Sequence, residues 1–301
     1  MSAAPAVSVV VPAYRSARTI GACLEALRRQ RVDGVEVVVV NSSPEDRTGA
    51  IVTRGFPEVR YVESGRRLLP HAARNLGAAE ARGEVIVFTD PDCEAAPDWL
   101  ERLLAAQAAG HQVVVGSMGV ADRGRFARGV HFVKFWWLLP GLEPGPRWIA
   151  PTANAAYSRR MWEEVGPFDE SLFASDGVTS WHAALSGQGP WFEPRARVDH
   201  RHPGHVGALW RERRARGEEF GEIRMSWERW SRARAVAHAL LFPALAALVL
   251  ARSGRSARRA GWLSDWLTTL PTQVVGQVGW SAGEARAHLR RAAGRSAGGA
   301  A

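Results

Sequence analysis

The first 120 residues alternate between short apolar runs and longer segments with helical spacing. Val7–Val11 and Val35–Val40 are valine-rich runs of strand length, interrupted only by Ser8 and Glu36, which is typical of buried strands. Between them, Arg18–Arg31 carries apolar residues at the three- and four-residue intervals of an amphipathic helix. The alternation continues with strands predicted at Val59–Val62, Val85–Thr89 and Val113–Val115 and helices at His71–Arg82 and Pro97–Ala109. This order predicts an α/β fold with a mostly parallel sheet and helices on both of its faces.

Polar residues follow three of the predicted strands, at Pro12–Tyr14, at Asn41–Ser43 and at the pair Asp90 and Asp92. Because ligands bind at the carboxyl ends of the strands in such sheets, we expect these residues to share one site. Two carboxylates suit Mg²⁺ or Mn²⁺ bound together with substrate phosphates. An Asp-x-Asp pair can also be a simple turn or cap before the next helix. Neither a GxGxxG after the first strand nor a GxxxxGK[ST] occurs, which argues against a dinucleotide fold and a P-loop.

Composition adds information mainly through the distribution of charge. The net charge is +9, yet residues 1–100 carry 12 basic and 13 acidic side chains, and residues 101–200 carry 10 of each. Residues 201–301 carry 17 basic and 7 acidic side chains, so the excess lies in the last third. The two cysteines, Cys23 and Cys93, exclude a disulfide framework, and the N-terminus has no signal-peptide pattern. These features favour a reducing, cytosolic setting.

The last third combines arginine with apolar segments. Trp210–Arg234 interleaves arginine with tryptophan and phenylalanine, a pattern found both in single-strand nucleic-acid binding and in helices on lipid headgroups. Ala235–Ala251 follows as 17 residues without a charge, which favours the lipid alternative. Because arginines flank this run on both sides, we expect an in-plane or re-entrant helix rather than a span. Trp262–Trp280 is predicted to be interfacial as well.

Four sequence blocks occur in an order that resembles family 2 glycosyltransferases of GT-A fold. They are VSVVVPAY, VVVVNSSPEDRT, AARNLGAAEARGEVIVFTDPDC, and Asn154 followed by Gly166-Pro167-Phe168-Asp169-Glu170. The resemblance covers about Val7 to His202. It implies a metal-dependent, inverting transfer of a sugar from a nucleotide donor to a hydroxyl group.

The resemblance also assigns roles to individual residues. It implies that Asp176 is the general base, that Asp92, Asp90 and His200 hold Mn²⁺ or Mg²⁺, and that Trp181 and Asn154 contact the acceptor. Nucleotide-sugar contacts are implied for Pro12, Ala13, Tyr14, Asn41, Ser42, Ser43, Arg74, Asn75 and Asp90.

Two positions depart from the family pattern. An acid is usual where Asn41 stands, and Ser175 replaces the first acid of a pair whose second member is Asp176. The amide of Asn41 can still accept a hydrogen bond, without the strength that a charge would add. These departures keep open a non-catalytic nucleotide-sugar or glycan binding protein. A nucleotidyltransferase is less favoured, because this chain lacks the Gly-rich, basic loop that such an enzyme carries after its first strand.

The predicted organisation is therefore a GT-A domain over residues 1–205, a membrane-associated helical region over 206–293 and a disordered tail over 294–301. The nucleotide-sugar half would occupy about 1–118 and the acceptor half about 119–205. Within the latter, Phe132–Asn154 is rich in Pro, Gly and Trp and is either a loop over the acceptor or a buried connection. The expected partners are a nucleotide sugar, a lipid-linked or polysaccharide acceptor and an anionic membrane surface, at the cytoplasmic face of the membrane, without nucleic acid.

Overall fold

The computed structural model describes residues 5–202 and 204–293. Within them the chain forms two compact units. The sheet unit comprises the described residues of 1–121 and 140–201, and the helical unit comprises 122–139, 202 and those that follow. Residues 122–139 thus differ from their predicted place in the acceptor half. The tail predicted at 294–301 lies outside the described residues.

The sheet unit is built on one mixed sheet of nine strands within the described residues, in the order β3-β2-β1-β4-β8-β6-β9-β5, with β7 paired to β9. The first four strands of this order are parallel, as predicted, and β8 runs antiparallel between β4 and β6. The sequence analysis did not predict β8 or β9. The strands are β1 Val7–Ala13, β2 Val35–Asn41, β3 Arg60–Glu63, β4 Val85–Thr89, β5 Cys93–Ala95, β6 Val113–Val120, β7 Gly145–Pro146, β8 Asn154–Ser158 and β9 Trp191–His200.

Helices cover this sheet, and the apolar runs of β1 and β2 are buried beneath them. Gly77 lies where helix and sheet approach closely, because a Cβ on it would come within 2.4 Å of Val10 Cγ1. This contact explains a glycine inside a predicted helix. The helices of the sheet unit are α1 Ile20–Arg28, α2 Thr48–Gly55, α3 Pro70–Glu80, α4 Trp99–Ala108, α6 Arg159–Val165 and α7 Ser175–Leu185, and α5 Arg125–Phe135 belongs to the helical unit.

The helical unit joins α5 to the C-terminal helices. A Cβ on Gly276 would lie 2.6 Å from Val133 Cγ2, and Lys134 forms a 2.8 Å ion pair with Glu212. These long-range contacts explain why residues 122–139 belong with the C-terminal helices. Of the segment Phe132–Asn154, the first residues complete α5 and Leu139 is buried, so it is not one continuous loop. The remaining helices are α8 Val206–Trp227, α9 Arg232–Leu240, α10 Phe242–Arg259, α11 Leu263–Thr268 and α12 Leu270–Ala292.

The apolar run Ala235–Ala251 is divided between α9 and α10, which meet at 68°. Pro243 stands in the first turn of α10, where its missing N–H and fixed φ are compatible with a new helix start. Among the described residues, no single helix has the length and apolar character of a membrane span. Only α9 and α10 taken together, as a bent pair, are long and apolar enough.

Candidate functional site

The predicted strand-end site forms at one edge of the sheet. Ala13 at the end of β1 is in register with Asn41 at the end of β2, and Val10 is in register with Phe88 of β4. The Ser42 N–H donates to the Ala13 carbonyl over 2.9 Å. The carboxyl ends of these three strands therefore lie side by side, as the sequence predicted.

Most of the residues predicted to contact the nucleotide here are buried. The Asn41 side chain accepts from the Ser43 hydroxyl over 2.9 Å and donates to the Tyr61 hydroxyl over 3.1 Å. It thus holds the turn after β2, and its contact with the base stays a prediction. Residues buried beside it are Pro12, Ala13, Ser42 and Ser43, which leaves their backbone rather than their side chains to shape the edge.

Tyr14 is the half-buried member of this group and carries a cationic neighbour. The guanidinium carbon of Arg67 lies 4.7 Å from the Tyr14 ring centroid, and that of Arg15 lies 5.3 Å away. A cation that lies over the face of an aromatic ring is attracted to the ring. The sequence analysis missed Arg67, since its segment between β3 and α3 carries no distinctive pattern.

Asp90 and Asp92 differ in their partners. Arg74, almost fully buried on α3, forms a close ion pair with Asp90 Oδ1. Although burial opposes ionisation, the charge of Arg74 and its hydrogen bond hold the pKa of Asp90 below its usual value. Asp90 is therefore a paired carboxylate, while Asp92 lies closer to His200.

Asp92 and His200 form a candidate metal centre. Asp92 Oδ1 lies 3.7 Å from His200 Nε2, and β9 delivers the histidine next to β5 by antiparallel pairing of Cys93 with His200. The His200 Nδ1 contacts the Arg201 carbonyl at 2.5 Å. A carbonyl can only accept, so Nδ1 carries a proton, and Nε2 is the ring nitrogen that faces Asp92.

The chemistry of this donor set fits a divalent cation. Asp92, Cys93 and His200 place one potential ligand atom each within 4.8 Å of one another. Burial raises the pKa of the Cys93 thiol well above its usual value, so the thiol stays protonated and is a poor ligand. Carboxylate and imidazole remain, a combination suited to manganese, with room for substrate oxygens.

Asp176 stands in the first turn of α7. Its carboxylate accepts from the Gly177 N–H over 2.9 Å and from the Thr152 N–H over 3.4 Å. Ser175, which replaces an acid of the family pattern, is buried and accepts from the Asp169 N–H over 2.6 Å. The serine thus orders the loop before the helix, and Asp176 is half-buried beside it.

His71 is a second residue that the sequence analysis missed. It is buried on α3, its Nε2 lies 3.0 Å from the Phe173 carbonyl, and its Nδ1 has no hydrogen-bond partner among the described residues. Burial, and next the charge of Arg74, lower the pKa of His71, against the opposing charge of Asp176. The imidazole is therefore neutral and lies near Asp90 and Asp176. One turn of helix separates it from Arg74, and that spacing was the available signal.

Two predicted contact residues are bonded within the fold. Asn75 accepts from the Phe168 N–H and donates to the Phe168 carbonyl, both over 2.9 Å. Asn154, predicted to bind the acceptor, is fully buried and bonded to Trp99, Ser117 and Ala196. These bonds use its side chain within the fold, and its acceptor contact stays a prediction.

Trp181, the other predicted acceptor contact, is half-buried on α7, five residues beyond Asp176.

Comparison with known proteins agrees with this fold. Residues 8–166 match the model of glycosyl transferase family 2. The succinoglycan biosynthesis protein ExoO of Rhizobium meliloti is 41% identical over 39% of this chain and 34% of its own length. The glycosyltransferase AglE of Haloferax volcanii is 27% identical over 60% of this chain and 61% of its own. The matched parts thus span about a third and about three fifths of these two relatives.

Two solved structures share the fold. A mannosyltransferase of Pyrobaculum calidifontis, in complex with GDP-Man and Mn²⁺, aligns with a TM-score of 0.59 over 91% of this chain and 88% of its own, at 23% identity. Residues 1–349 of S. aureus TarS, in complex with UDP-GlcNAc, align with a TM-score of 0.56 over 97% and 93%, at 17% identity. These likenesses confirm the α/β architecture of GT-A type. Because the family model matches more than half of its length, this chain belongs to glycosyl transferase family 2.

Proposed function

We propose that this protein is a metal-dependent, inverting glycosyltransferase that moves a sugar from a nucleoside diphosphate to a hydroxyl group. The observation that carries the proposal is the paired centre at the strand ends, where Asp92 faces His200 and Arg74 holds Asp90 ionised. Asp176 supplies a third carboxylate in the same unit, and two backbone N–H groups donate to it. Family membership and relatives named as glycosyltransferases support the reaction type.

The residues present divide the chemistry between them. Asp176 takes the proton from the acceptor hydroxyl, whose oxygen attacks the anomeric carbon. The bond from that carbon to the diphosphate breaks, and its electron pair leaves with the phosphate oxygen. This single displacement inverts the anomeric configuration. A divalent cation held by Asp92 and His200 would neutralise charge on the leaving diphosphate.

The donor side is formed by Tyr14 with Arg67 above its ring and by Arg74 with Asp90. A planar base can stack on an aromatic or guanidinium face. Backbone groups of Pro12–Tyr14 and of the Asn41–Ser43 turn line the remainder of this edge.

The acceptor belongs in this proposal to a lipid-linked or cell-envelope glycan, and the protein works at the cytoplasmic face of the membrane. The name of the Rhizobium relative, a succinoglycan biosynthesis protein, supports a glycan acceptor. The excess of arginine in residues 201–301 supports an anionic membrane surface as a partner. Trp181 could offer an aromatic face to an acceptor sugar.

A thermal-shift screen with UDP, GDP, CDP and dTDP, each with and without Mn²⁺, tests the donor site. At one hundred times its dissociation constant, a nucleotide should raise the melting temperature by about 5 °C. We expect this shift to require Mn²⁺ and to be lost in Asp92→Asn and His200→Ala. The control Asp98→Asn, which removes an acid paired with Arg102 on α4, should keep it.

Turnover of the matching nucleotide sugar then separates the enzyme from a binding protein. Asp176→Asn should bind the nucleotide like the wild type but release nucleoside diphosphate at least about a hundredfold more slowly. Nucleotide binding without turnover in the wild type, across the sugars and acceptors tested, would favour the non-catalytic binding protein. A folded protein that none of the four nucleotides stabilises would contradict the glycosyltransferase and favour a binding protein.

A further inference from the structure

The junction of α9 and α10 exposes a group of leucine side chains. Leu240 and Leu241, at the apex of the 68° bend, are 75% and 55% exposed. Val236 on α9 and Leu248 on α10 are exposed as well. We call the segment from Arg232 to Arg259 the corner. Its leucines form an apolar surface that the rest of the helical unit leaves in solvent.

Helix α10 changes character along its axis. In its first half the exposed positions are apolar and include Ala244, Ala247, Leu248 and Ala251. In its second half the exposed positions include Arg252, Arg255, Arg258 and Arg259. On α9, Arg232 and Arg234 are likewise exposed, before the leucines begin. Arginines thus flank the apolar apex on both helices.

The polar residues of the apolar run do not oppose this arrangement. His238 turns toward the interior, where its ring lies 4.8 Å from that of Trp230 and 5.1 Å from that of His288. Burial lowers the pKa of His238, so its ring is neutral at pH 7. Pro243 lacks an N–H that would need a partner. The apex therefore presents no charged side chain.

The charge of the corner selects its partner. Between Glu228 and Asp265 the sequence contains seven arginines and no acid. One of these arginines, Arg234, is paired with Glu228. An anionic phospholipid surface attracts such arginines and accepts leucine side chains beneath its headgroups, whereas a folded acidic protein would not offer an apolar layer below its charges.

The dimensions match one leaflet of a bilayer. Ten residues separate Phe242 from Arg252, which is about 15 Å along a helix. This equals about half of the 30 Å hydrocarbon thickness of a bilayer. On α9, six residues or about 9 Å separate Arg234 from Leu240.

We propose that the corner inserts as a wedge into one leaflet of an anionic membrane. Leu240 and Leu241 point toward the acyl chains, and the arginines of α9 and of the second half of α10 lie at the level of the phosphates. The wedge deepens the membrane location given in the proposed function, and it depends on lipid binding alone rather than on sugar transfer.

Vesicle flotation of the full chain tests the wedge. We expect binding to phosphatidylcholine vesicles that contain phosphatidylglycerol and much weaker binding to phosphatidylcholine alone. The double variant Leu240→Asp/Leu241→Asp should lower the partition coefficient at least about tenfold. Leu185→Asp, which changes a leucine that is 77% exposed on α7, should leave it unchanged. Equal losses in both variants would overturn the proposal.

The arginines are tested in the same assay. Arg252→Glu/Arg255→Glu should lower the partition coefficient at least about tenfold on vesicles with phosphatidylglycerol. The control Arg31→Glu/Arg54→Glu reverses two exposed arginines of the sheet unit and should have little effect. If the controls lose as much binding, general charge attraction would explain the data and the wedge would be wrong.

Depth of insertion separates a wedge from a helix that lies flat. A fluorophore on Leu241→Cys should be quenched strongly by lipids brominated deep in the acyl chain, and one on Ala251→Cys only weakly. Both native cysteines are buried, so labelling should favour the new thiol. Equal quenching at the two positions would contradict the wedge. Because every variant can also be tested for the nucleotide-dependent thermal shift, failure of the wedge is distinguishable from failure of the proposed function.

Discussion

Arg74 controls the ionisation of Asp90, and its removal should be costly. The two side chains are 6% and 22% exposed, so Arg74→Gln leaves a largely buried carboxylate without its cation. We expect the free energy of unfolding to fall by about 3 kcal/mol at pH 7, measured by urea denaturation. Arg102→Gln, which removes a more exposed pair with Asp98, should cost less than about 1 kcal/mol.

The sign of the pH dependence follows from the lowered pKa of Asp90. In the wild type, the stability from this group is present above the unfolded value of 3.8 and is lost as the pH falls through the folded pKa. In Arg74→Gln, burial without the cation raises the pKa of Asp90. Lowering the pH then protonates this buried carboxylate and removes the cost of burying its charge. The stability difference between the two proteins should therefore shrink as the pH falls from 7 toward about 4. A difference that grows on acidification would refute this account.

Asn154 illustrates a polar side chain that is bonded within the fold. Asn154→Ala removes the acceptor of Trp99 Nε1–H and both donors to the carbonyls of Ser117 and Ala196. Because these buried groups lose their partners, we expect the free energy of unfolding to fall by about 3 kcal/mol in urea. If these bonds are its whole role, the acceptor KM of the remaining folded enzyme should be unchanged. A raised KM with unchanged stability would support the predicted acceptor contact.

At the scale of elements, α8 and α12 depend on glycines for their close approach. A Cβ on Gly217 would lie 2.2 Å from the Trp280 carbonyl oxygen, and one on Gly283 would lie 2.1 Å from that of Arg214. The clash is with backbone and cannot be relieved by a rotamer change. The two helices are therefore in contact through their backbones at these positions.

Gly217→Ala should destabilise the helical unit by about 1–3 kcal/mol through overpacking, despite the better helix propensity of alanine. Thermal unfolding measures the change as a lower melting temperature. Gly207→Ala is the control in the same helix, since its Cβ would meet His205 at an ordinary 3.4 Å. Both variants melting above the wild type would mean that α8 and α12 are farther apart than described.

At the scale of the whole molecule, stability should depend on buried imidazoles. His288 is fully buried within the helical unit, and burial followed by the charges of His238 and Arg224 lowers its pKa to about 4. A lowered histidine pKa gives stability that is present above the unfolded value of 6.5 and is lost as the pH falls toward 4.

The expected loss from His288 between pH 7 and pH 4 is about 3 kcal/mol. Urea denaturation at several pH values should show a shallower acid slope in His288→Phe than in the wild type. The control His182→Phe, at an exposed position of α7, should keep the wild-type slope. Parallel slopes for all three proteins would exclude His288 as the source.

Local sequence determined the elements of the first half and the edge that holds the candidate site. The strands β1, β2 and β4 are mostly apolar because most of their side chains are buried, and this pattern can be read from consecutive residues. The polar residues after each strand followed from the same pattern, as did Asp90 and Asp92. The family resemblance added His200 and Asp176, which no local pattern identifies.

Tertiary structure decided which of those polar residues are bonded within the fold. Asn154 and Asn75 find partners at Trp99 and Phe168, far away in sequence, so their types alone could not reveal burial. Arg67 lies outside any motif, and His71 is indicated only by its one-turn spacing from Arg74 on α3. Likewise, charge and hydropathy indicated a membrane partner, while only the bend at Leu241 shows which residues would enter it. Short-range patterns thus fixed the elements, and contacts between distant residues fixed their roles.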